Sequence, residues 1–491
     1  MSAPPLGPVG LTRVSRRTAP NPGGTPCLVL SQMPLQGRTR SKESGGSDPM
    51  ADRGLVRKTT TLCRRFLRRH RRATVVVLRR RLATGIGAVL LALLALAFAR
   101  SADFAQLTFG RLVARYPLLP LILTPLVFVA VAFATRRWAG EARGSGIPQI
   151  IAAANQPEAE ATRLAKLTIA AWKFGLTLLM LLGGASVGRE GPTVQVSAAV
   201  MVWVHRLLRV PITAGVLIAG GAAGVAAAFN TPLAGVAFAI EELAAAYEQR
   251  VALLVMAAVM ISGLTMIGIA GDYVYFGVLQ GSIGFRETLV LAPVVGIVGG
   301  LVGGLFSRAV LHFTYTRQGL IGRIKRRPVL FAAGCGLIVG ALGIVSHGTT
   351  WGTGYAPAKL LVEGGRLSIW FGAAKFLATI FTTLSGTPGG IFSPSLAVGA
   401  GVGNALAWLF PSSPSSAVVH LGMAAYFVGV VRAPFTAVII LMETTDSRGM
   451  ILPLFATALI ADATSSLISR ERIYHGLSKS FVRDEAKVEV L

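Results

Sequence analysis

The chain has 491 residues, of which 53% are hydrophobic and 14% charged, and its mean hydropathy is +0.63. A soluble globular chain carries about 25% charged residues, so a cytosolic enzyme and a disordered scaffold are both set aside. The 57 glycines follow no G-X-Y period, which excludes collagen and points to a polytopic helical membrane protein with close helix packing.

The net charge of +27 comes from 48 basic and 21 acidic residues. Residues 1–81 alone hold 18 Lys/Arg and 3 Asp/Glu. Such a balance elsewhere would suggest a nucleic-acid partner. Here Arg64, Arg65, Arg68, Arg69, Arg71, Arg72, Arg79, Arg80 and Arg81 abut the first long apolar segment, where the positive-inside rule places a cytoplasmic flank. The expectation is contact with anionic lipid and no nucleic acid. Cys27, Cys63 and Cys335 show no paired spacing and the six histidines no ligand spacing, so neither a disulfide framework nor a metal site is expected.

In chain order, residues 1–56 read as a disordered, basic, Pro/Gly/Ser-rich cytoplasmic tail, within which Met50 is a plausible alternative start. Residues 57–81 read as a basic interfacial helix, 82–480 as the transmembrane domain and 481–491 as a cytoplasmic C-terminal tail. Long apolar segments occur at Leu82–Ala99, Leu118–Ala134, Leu164–Val187, Val251–Ala270, Leu289–Val310, Val329–Val345, Ile369–Leu384 and Ile451–Ile468. Between them lie shorter pieces broken by Gly and Pro, at 144–154, 190–204, 213–228, 232–240, 389–410 and 432–442. Most of these pieces are too short to cross a bilayer as a straight helix, and all are broken by Gly or Pro, so they imply re-entrant or discontinuous helices buried in protein. Breaks in comparable places divide the domain into repeats of about 82–270 and 287–468, with a ligand site expected at the breaks.

Three punctuated motifs each open an apolar piece: Gly144-Ser145-Gly146-Ile147-Pro148, Gly188-Arg189-Glu190-Gly191-Pro192 and Gly389-Gly390-Ile391-Phe392-Ser393-Pro394. Proline is tolerated in the first helical turn, and the glycines before it admit a sharp turn and a close ligand. Each motif therefore reads as a helix N-terminus inside the membrane, carrying free N–H groups and partial positive charge. Any one alone would more readily be a packing device. Several aimed at one point would hold an anion without a full buried cation.

The three motifs, in this order and spacing, resemble those of the CLC family of chloride channels and proton-coupled chloride antiporters. The likeness continues through Phe229-Asn230-Thr231-Pro232-Leu233-Ala234-Gly235, Ile240-Glu241-Glu242, Glu443-Thr444-Thr445-Asp446 and Arg472-Ile473-Tyr474, covering about residues 82–480. It implies an all-α polytopic membrane protein with two inverted-topology repeats of tilted and broken intramembrane helices. It further implies a homodimer of the cytoplasmic (inner) membrane, both termini cytoplasmic, transporting chloride and protons with no organic cofactor or metal. The seventeen residues after Tyr474 leave no room for the paired C-terminal regulatory CBS domains of eukaryotic relatives.

By the same resemblance, Ser145 and Tyr474 offer hydroxyls to a dehydrated chloride, and the backbone N–H groups of Ile391 and Phe392 complete the site. Glu190 becomes the external gating glutamate, a carboxylate able to sit where the anion sits and to leave when protonated. Glu242 aligns with the internal proton glutamate of the antiporter branch, which favours antiport over a passive voltage- or pH-gated channel; the plainer alternative is that Glu241 or Glu242 caps a helix in solvent. Some bacterial antiporters place another Glu six residues after the motif serine, where this chain has Ile151. Lys173 is read either as an attractive potential for anions or as a lipid-interface lysine, and Glu443 and Asp462 as helix-end partners. An intramembrane enzyme is disfavoured: no G-x-S-x-G or H-E-x-x-H motif is present.

Overall fold

The computed structural model describes residues 49–243, 249–271, 273–279 and 281–482. The chain divides into two units, Met1–Arg69 and His70–Leu491. The expected tails lie outside the described residues at 1–48 and 483–491.

The first repeat comprises α1 (Pro49–Arg115), α2 (Pro120–Trp138), α3 (Ile147–Asn155), α4 (Pro157–Leu164), α5 (Leu167–Leu182), α6 (Glu190–Leu207), α7 (Ala214–Phe229), α8 (Pro232–Phe238) and α9 (Gln249–Ala270). A π-helical turn, Ala239–Leu243, continues α8. The second comprises α10 (Phe285–Tyr315), α11 (Gly319–Arg326), α12 (Pro328–Val345), α13 (Tyr355–Val362), α14 (Phe371–Leu384), α15 (Phe392–Ala407), α16 (Ser415–Val431), α17 (Pro434–Thr445) and α18 (Ile451–Ile468), and α19 (Ile473–Ser478) follows. Among the described residues there is no strand beyond one isolated bridge.

Among the described residues six helical stretches are long and apolar enough to cross a bilayer: Val75–Arg115 and Phe285–Tyr315, then Pro120–Trp138, Ala252–Ala270, Pro328–Val345 and Ile451–Ile468. Their apolar outer faces include Ile122, Leu253, Leu289, Leu330, Leu452 and Leu467, all exposed. Several boundaries differ from the sequence expectation. Helix α1 is continuous from Pro49 to Arg115, since no Gly-Pro punctuation separates Arg81 from Leu82, so residues 49–56 and 57–81 lead into the first apolar segment without a turn. The segments expected at 164–187 and 369–384 shorten to helices of 16 and 14 residues, at 1.5 Å per residue too short to span ~30 Å. Helices α13 and α16 had no counterpart in the sequence reading.

A pseudo-two-fold relation joins the halves. Lys375 follows Lys173 by 202 residues (375 − 173), and the same offset relates Gly188 to Gly390, Glu190 to Phe392, Asn230 to Arg432, Pro232 to Pro434 and Glu241 to Glu443. The equivalences are physical as well as numerical. Helices α7 and α16 are buried from their second residue to their last. They end on Asn230 and Arg432, both left-handed at φ 58° and 63°, the αL stop that frees the chain to turn. Glu241 then accepts the amides of Phe435 (3.2 Å) and Thr436 (2.7 Å) at the start of α17, while Glu443 accepts those of Leu233 (3.1 Å) and Ala234 (2.7 Å) at the start of α8. Each carboxylate caps the other's helix, so α8 and α17 lie antiparallel. Glu443 is thus the helix-end partner the sequence suggested. Asp462 pairs at 3.1 Å with Arg432, at the end of α16.

Small residues set the packing distances. A Cβ on Gly399 would meet Gly422 O at 2.6 Å, and one on Gly303 would meet Gly429 at 2.6 Å. Close backbone approach of this kind is how helices associate where hydrophobic burial gives little advantage.

Candidate functional site

The three Gly/Pro motifs meet. Gly188 and Gly390 form a two-bond antiparallel bridge, with N···O distances of 2.7 and 2.8 Å. Gly389 donates to Gly144 O at 3.1 Å, and Gly144 donates to Thr387 O at 3.3 Å. At Gly191 an added Cβ would collide with Ser145 Oγ and stand 3.3 Å from Gly390 Cα; one at Gly390 would stand 3.1 Å from Gly191 N and from Pro192 Cδ. Gly146 adopts φ +115°, and a Cβ there would stand only 2.5 Å from Gly191 O, so no side chain fits. The glycines permit three helix starts, with Pro148, Pro192 and Pro394 in their first turns, to converge at van der Waals distance.

Buried side chains hold the first motif in place. Gln149 Nε2 donates to Glu141 O (3.0 Å) and Arg143 O (2.7 Å), while its Oε1 accepts the Gly146 amide at 3.1 Å. Lys173 Nζ donates to Ala142 O (2.8 Å) and Gly144 O (2.6 Å). Four consecutive carbonyls, 141–144, are therefore drawn onto side-chain donors. Lys173 is fully buried, so the lipid-interface reading of it is wrong: its ammonium is a tie for the loop, well inside the protein.

What remains in the centre is a set of buried polar atoms without protein partners: Ser145 Oγ, Tyr474 OH, Glu190 Oε2 and both Glu242 carboxylate oxygens. Tyr474 is fully buried, with Ser145 as its hydroxyl neighbour and Glu242 and Glu190 as the carboxylates bearing on it electrostatically. Ile391 and Phe392, at the N-cap and first position of α15, have no acceptor for their amides among the described residues, as the first turn of a helix dictates. Buried polar groups are nearly always paired. A cluster of unpaired hydroxyls and amides beside helix N-termini has the chemistry of an anion site.

Glu190 is the first residue of α6 and 1% exposed. Its Oε1 accepts the Ser393 hydroxyl at 2.6 Å, and Ser393 lies in the first turn of α15. The acid therefore sits against the amino ends of two helices. Its neighbour Arg189 turns the other way, donating to Ala99 O (2.7 Å) and Asp103 (2.8 Å) on α1, so its guanidinium forms its ion pair there.

On the other side of Tyr474, the π turn presents adjacent glutamates in different directions: Glu241 outward to cap α17, Glu242 inward with no exposure. Only Glu241 matches the helix-cap alternative. His475 Nδ1 stands 3.3 Å from Glu242 Oε1, in contact but not aligned as a hydrogen bond. Sequence reasoning passed over His475, whose only signal was its place beside Tyr474. It also passed over Gly352-Thr353-Gly354 and Lys375, the second-half counterparts of the first motif and Lys173. Lys375 donates at 2.9 Å to both Thr350 O and Gly352 O. There, however, Gln106 Oε1 takes up the Thr353 amide (3.0 Å) and hydroxyl (3.3 Å), so the mirror-image place is filled. Among the described residues no three His, Cys, Asp or Glu side chains gather as a metal would require.

Residues 126–466 match the family model described as voltage gated chloride channel. The chain is 32% identical over 422 residues to the H(+)/Cl(-) exchange transporter ClcA of Yersinia pestis bv. Antiqua (strain Angola), covering 81% of this chain and 87% of the relative. This chain belongs to the CLC family. The ClcA of Citrobacter koseri is 31% identical over 455 residues, or 87% of this chain and 93% of that one. Among solved structures, a slow cyanobacterial Cl-/H+ antiporter superposes with a TM-score of 0.71 at 23% identity, over 83% of this chain and 99% of its own. A CLC-type fluoride/proton antiporter gives 0.68 at 22%, over 82% and 98%. Those two superpositions establish the CLC fold of two inverted repeats.

Proposed function

We propose that this CLC protein exchanges chloride for protons across the inner membrane, as a homodimer in the lipid bilayer with both termini cytoplasmic, each subunit holding its own pathway. No cofactor enters beyond the transported ions. The relatives named as H(+)/Cl(-) exchange transporters support the exchange, and the arginines at 79–81 support the orientation. The observation that carries the reading is the group of unpartnered buried atoms on Glu190, Ser145, Tyr474 and Glu242, with Tyr474 neighbouring the other three.

Chloride binds between the Ser145 and Tyr474 hydroxyls and the Ile391 and Phe392 amides. Ionised Glu190 holds an adjoining place at the α6 and α15 N-termini. Protonation cancels its attraction to Ser393 and to the helix ends, the side chain swings out, and an anion takes its place. Chloride occupancy and protonation thus oppose each other at one position, and that linkage is reciprocal. Glu242, too deeply buried to be a solvent cap, passes the proton on the cytoplasmic side.

Purified protein in planar bilayers or proteoliposomes tests this through the reversal potential. Under a fixed chloride gradient, an imposed pH gradient shifts the reversal potential of an exchanger. No shift would mean passive chloride conduction. Glu190→Ala, which keeps chloride flux without proton coupling, is the control.

A further inference from the structure

Glu242 needs a donor. It is fully buried, so protons from the aqueous phase reach it only through a neighbouring group, and Ile151, 3% exposed on α3, offers none. Among the described residues the groups around it are few. Glu241 belongs to the same π turn and is occupied with α17; Arg472 donates to Glu241 O at 3.2 Å. Helices α3, α10 and α16 pack against α19. Neither α3 nor α16 carries Asp, Glu, Lys or Arg, the α16 histidine being held by Ser447 at 3.0 Å. From α10 the Tyr315 hydroxyl is spent on Gly476 O. Glu471 and Lys479, beside and just after α19, pair with each other.

His475 is the exception. Its Nδ1 is buried and 3.3 Å from Glu242 Oε1, yet its side chain is 41% exposed, so the solvent-facing surface belongs to the rest of the residue. One side chain thereby reaches from the buried acid to the surface. From this geometry we infer that His475 is the proton relay between the cytoplasmic solution and Glu242, an inference that rests on the exchange reading above. A hydronium ion of the cytoplasmic solution gives its proton to the Nε2 lone pair of the neutral Nδ1–H ring, leaving water and an imidazolium. Once the ring turns so that Nδ1–H points at Glu242, 3.3 Å away, its proton passes to the carboxylate, leaving a neutral acid and a neutral Nε2–H ring. Rotation of the half-exposed ring, or tautomer exchange through water, resets it. Charge and protons balance without any further reactant.

The test is chloride-driven proton uptake by the full chain in liposomes, with radioactive chloride flux recorded in parallel. His475→Ala should keep chloride flux within about twofold while proton flux falls at least about tenfold, and millimolar imidazole on the α19 side should restore it. If the alanine variant does not fold, His475→Gln and His475→Glu serve: glutamine should lose proton flux and the titratable glutamate retain it. Proton flux unchanged in His475→Ala or His475→Gln would overturn the relay, as would a loss that imidazole cannot rescue. Where the wild type couples protons, Glu242→Gln does not and His475→Ala still does, the relay fails alone. A wild type that moves chloride with no protons removes the exchange reading and the relay together.

Discussion

Lys173 and Lys375 occupy equivalent places in the two repeats and allow one half to serve as a control for the other. Each is fully buried, and each donates to two loop carbonyls, at 2.8 and 2.6 Å for Lys173 and at 2.9 Å twice for Lys375. Hydrogen bonds to a charged group contribute about 1.5–3 kcal/mol each. Relief from burying an ammonium offsets part of that loss on substitution by methionine. Both Lys173→Met and Lys375→Met are therefore expected to destabilise the protein by about 2–4 kcal/mol, read as similar drops in Tm in detergent. Chloride binding should separate them. Lys173 fixes the loop that carries the unpaired Ser145 hydroxyl, whereas Lys375 fixes the loop of Thr353, which Gln106 already satisfies. Misplacing Ser145 forfeits one hydrogen bond to an anion, about 1.5–3 kcal/mol or roughly 10–100-fold in Kd. Lys375→Met should leave Kd within about twofold, since it touches no group of the site. Isothermal calorimetry with chloride decides. Equal weakening by both substitutions, or wild-type affinity in Lys173→Met, would refute the link between the lysine tie and the anion site.

Further outcomes follow from the same geometry. Glu190→Gln replaces the anionic competitor at the helix ends, so it should bind chloride more tightly than wild type, conduct it and move no protons; retained coupling would contradict the gate. Gly191→Ala drives a Cβ onto Ser145 Oγ and within 3.0 Å of Ser145 O, so chloride flux should fall at least about tenfold with a lowered Tm. Glu241→Gln, which weakens the cap on α17, should cost about 1–3 kcal/mol of stability and leave the proton-to-chloride ratio intact. Glu242→Gln should do the reverse, stopping proton flux in a stable protein.

Much of the site was legible because its chemistry is written in backbone punctuation. Gly-Pro starts are visible at 144–148, 188–192 and 389–394, and their convergence follows once each is a helix end seeking an anion. The repeat was harder to see, because what the halves share is geometry. Glu190 is matched by Phe392, packed against Phe229, Phe238 and Phe427, and Asn230 by Arg432, so identity is lost where function differs. Helix α16 escaped notice because its polar residues, Ser416, His420 and Tyr426, are buried with its apolar ones, and a helix covered on all sides has no amphipathic period. Lys173 stayed open between two readings for a related reason: a lysine in an apolar stretch looks the same in sequence whether it reaches lipid headgroups or two hidden carbonyls.

The claim beneath all of this is that a carboxylate and a halide contend for one place at the α6 and α15 N-termini. Bromide, replacing chloride, can be located by anomalous diffraction in crystals of wild type and Glu190→Gln. One peak beside the Ser145 and Tyr474 hydroxyls in both, with a second peak beside Ser393 in the variant alone, is the predicted result. No bromide at the hydroxyls, or no second peak once the charge is gone, would contradict it.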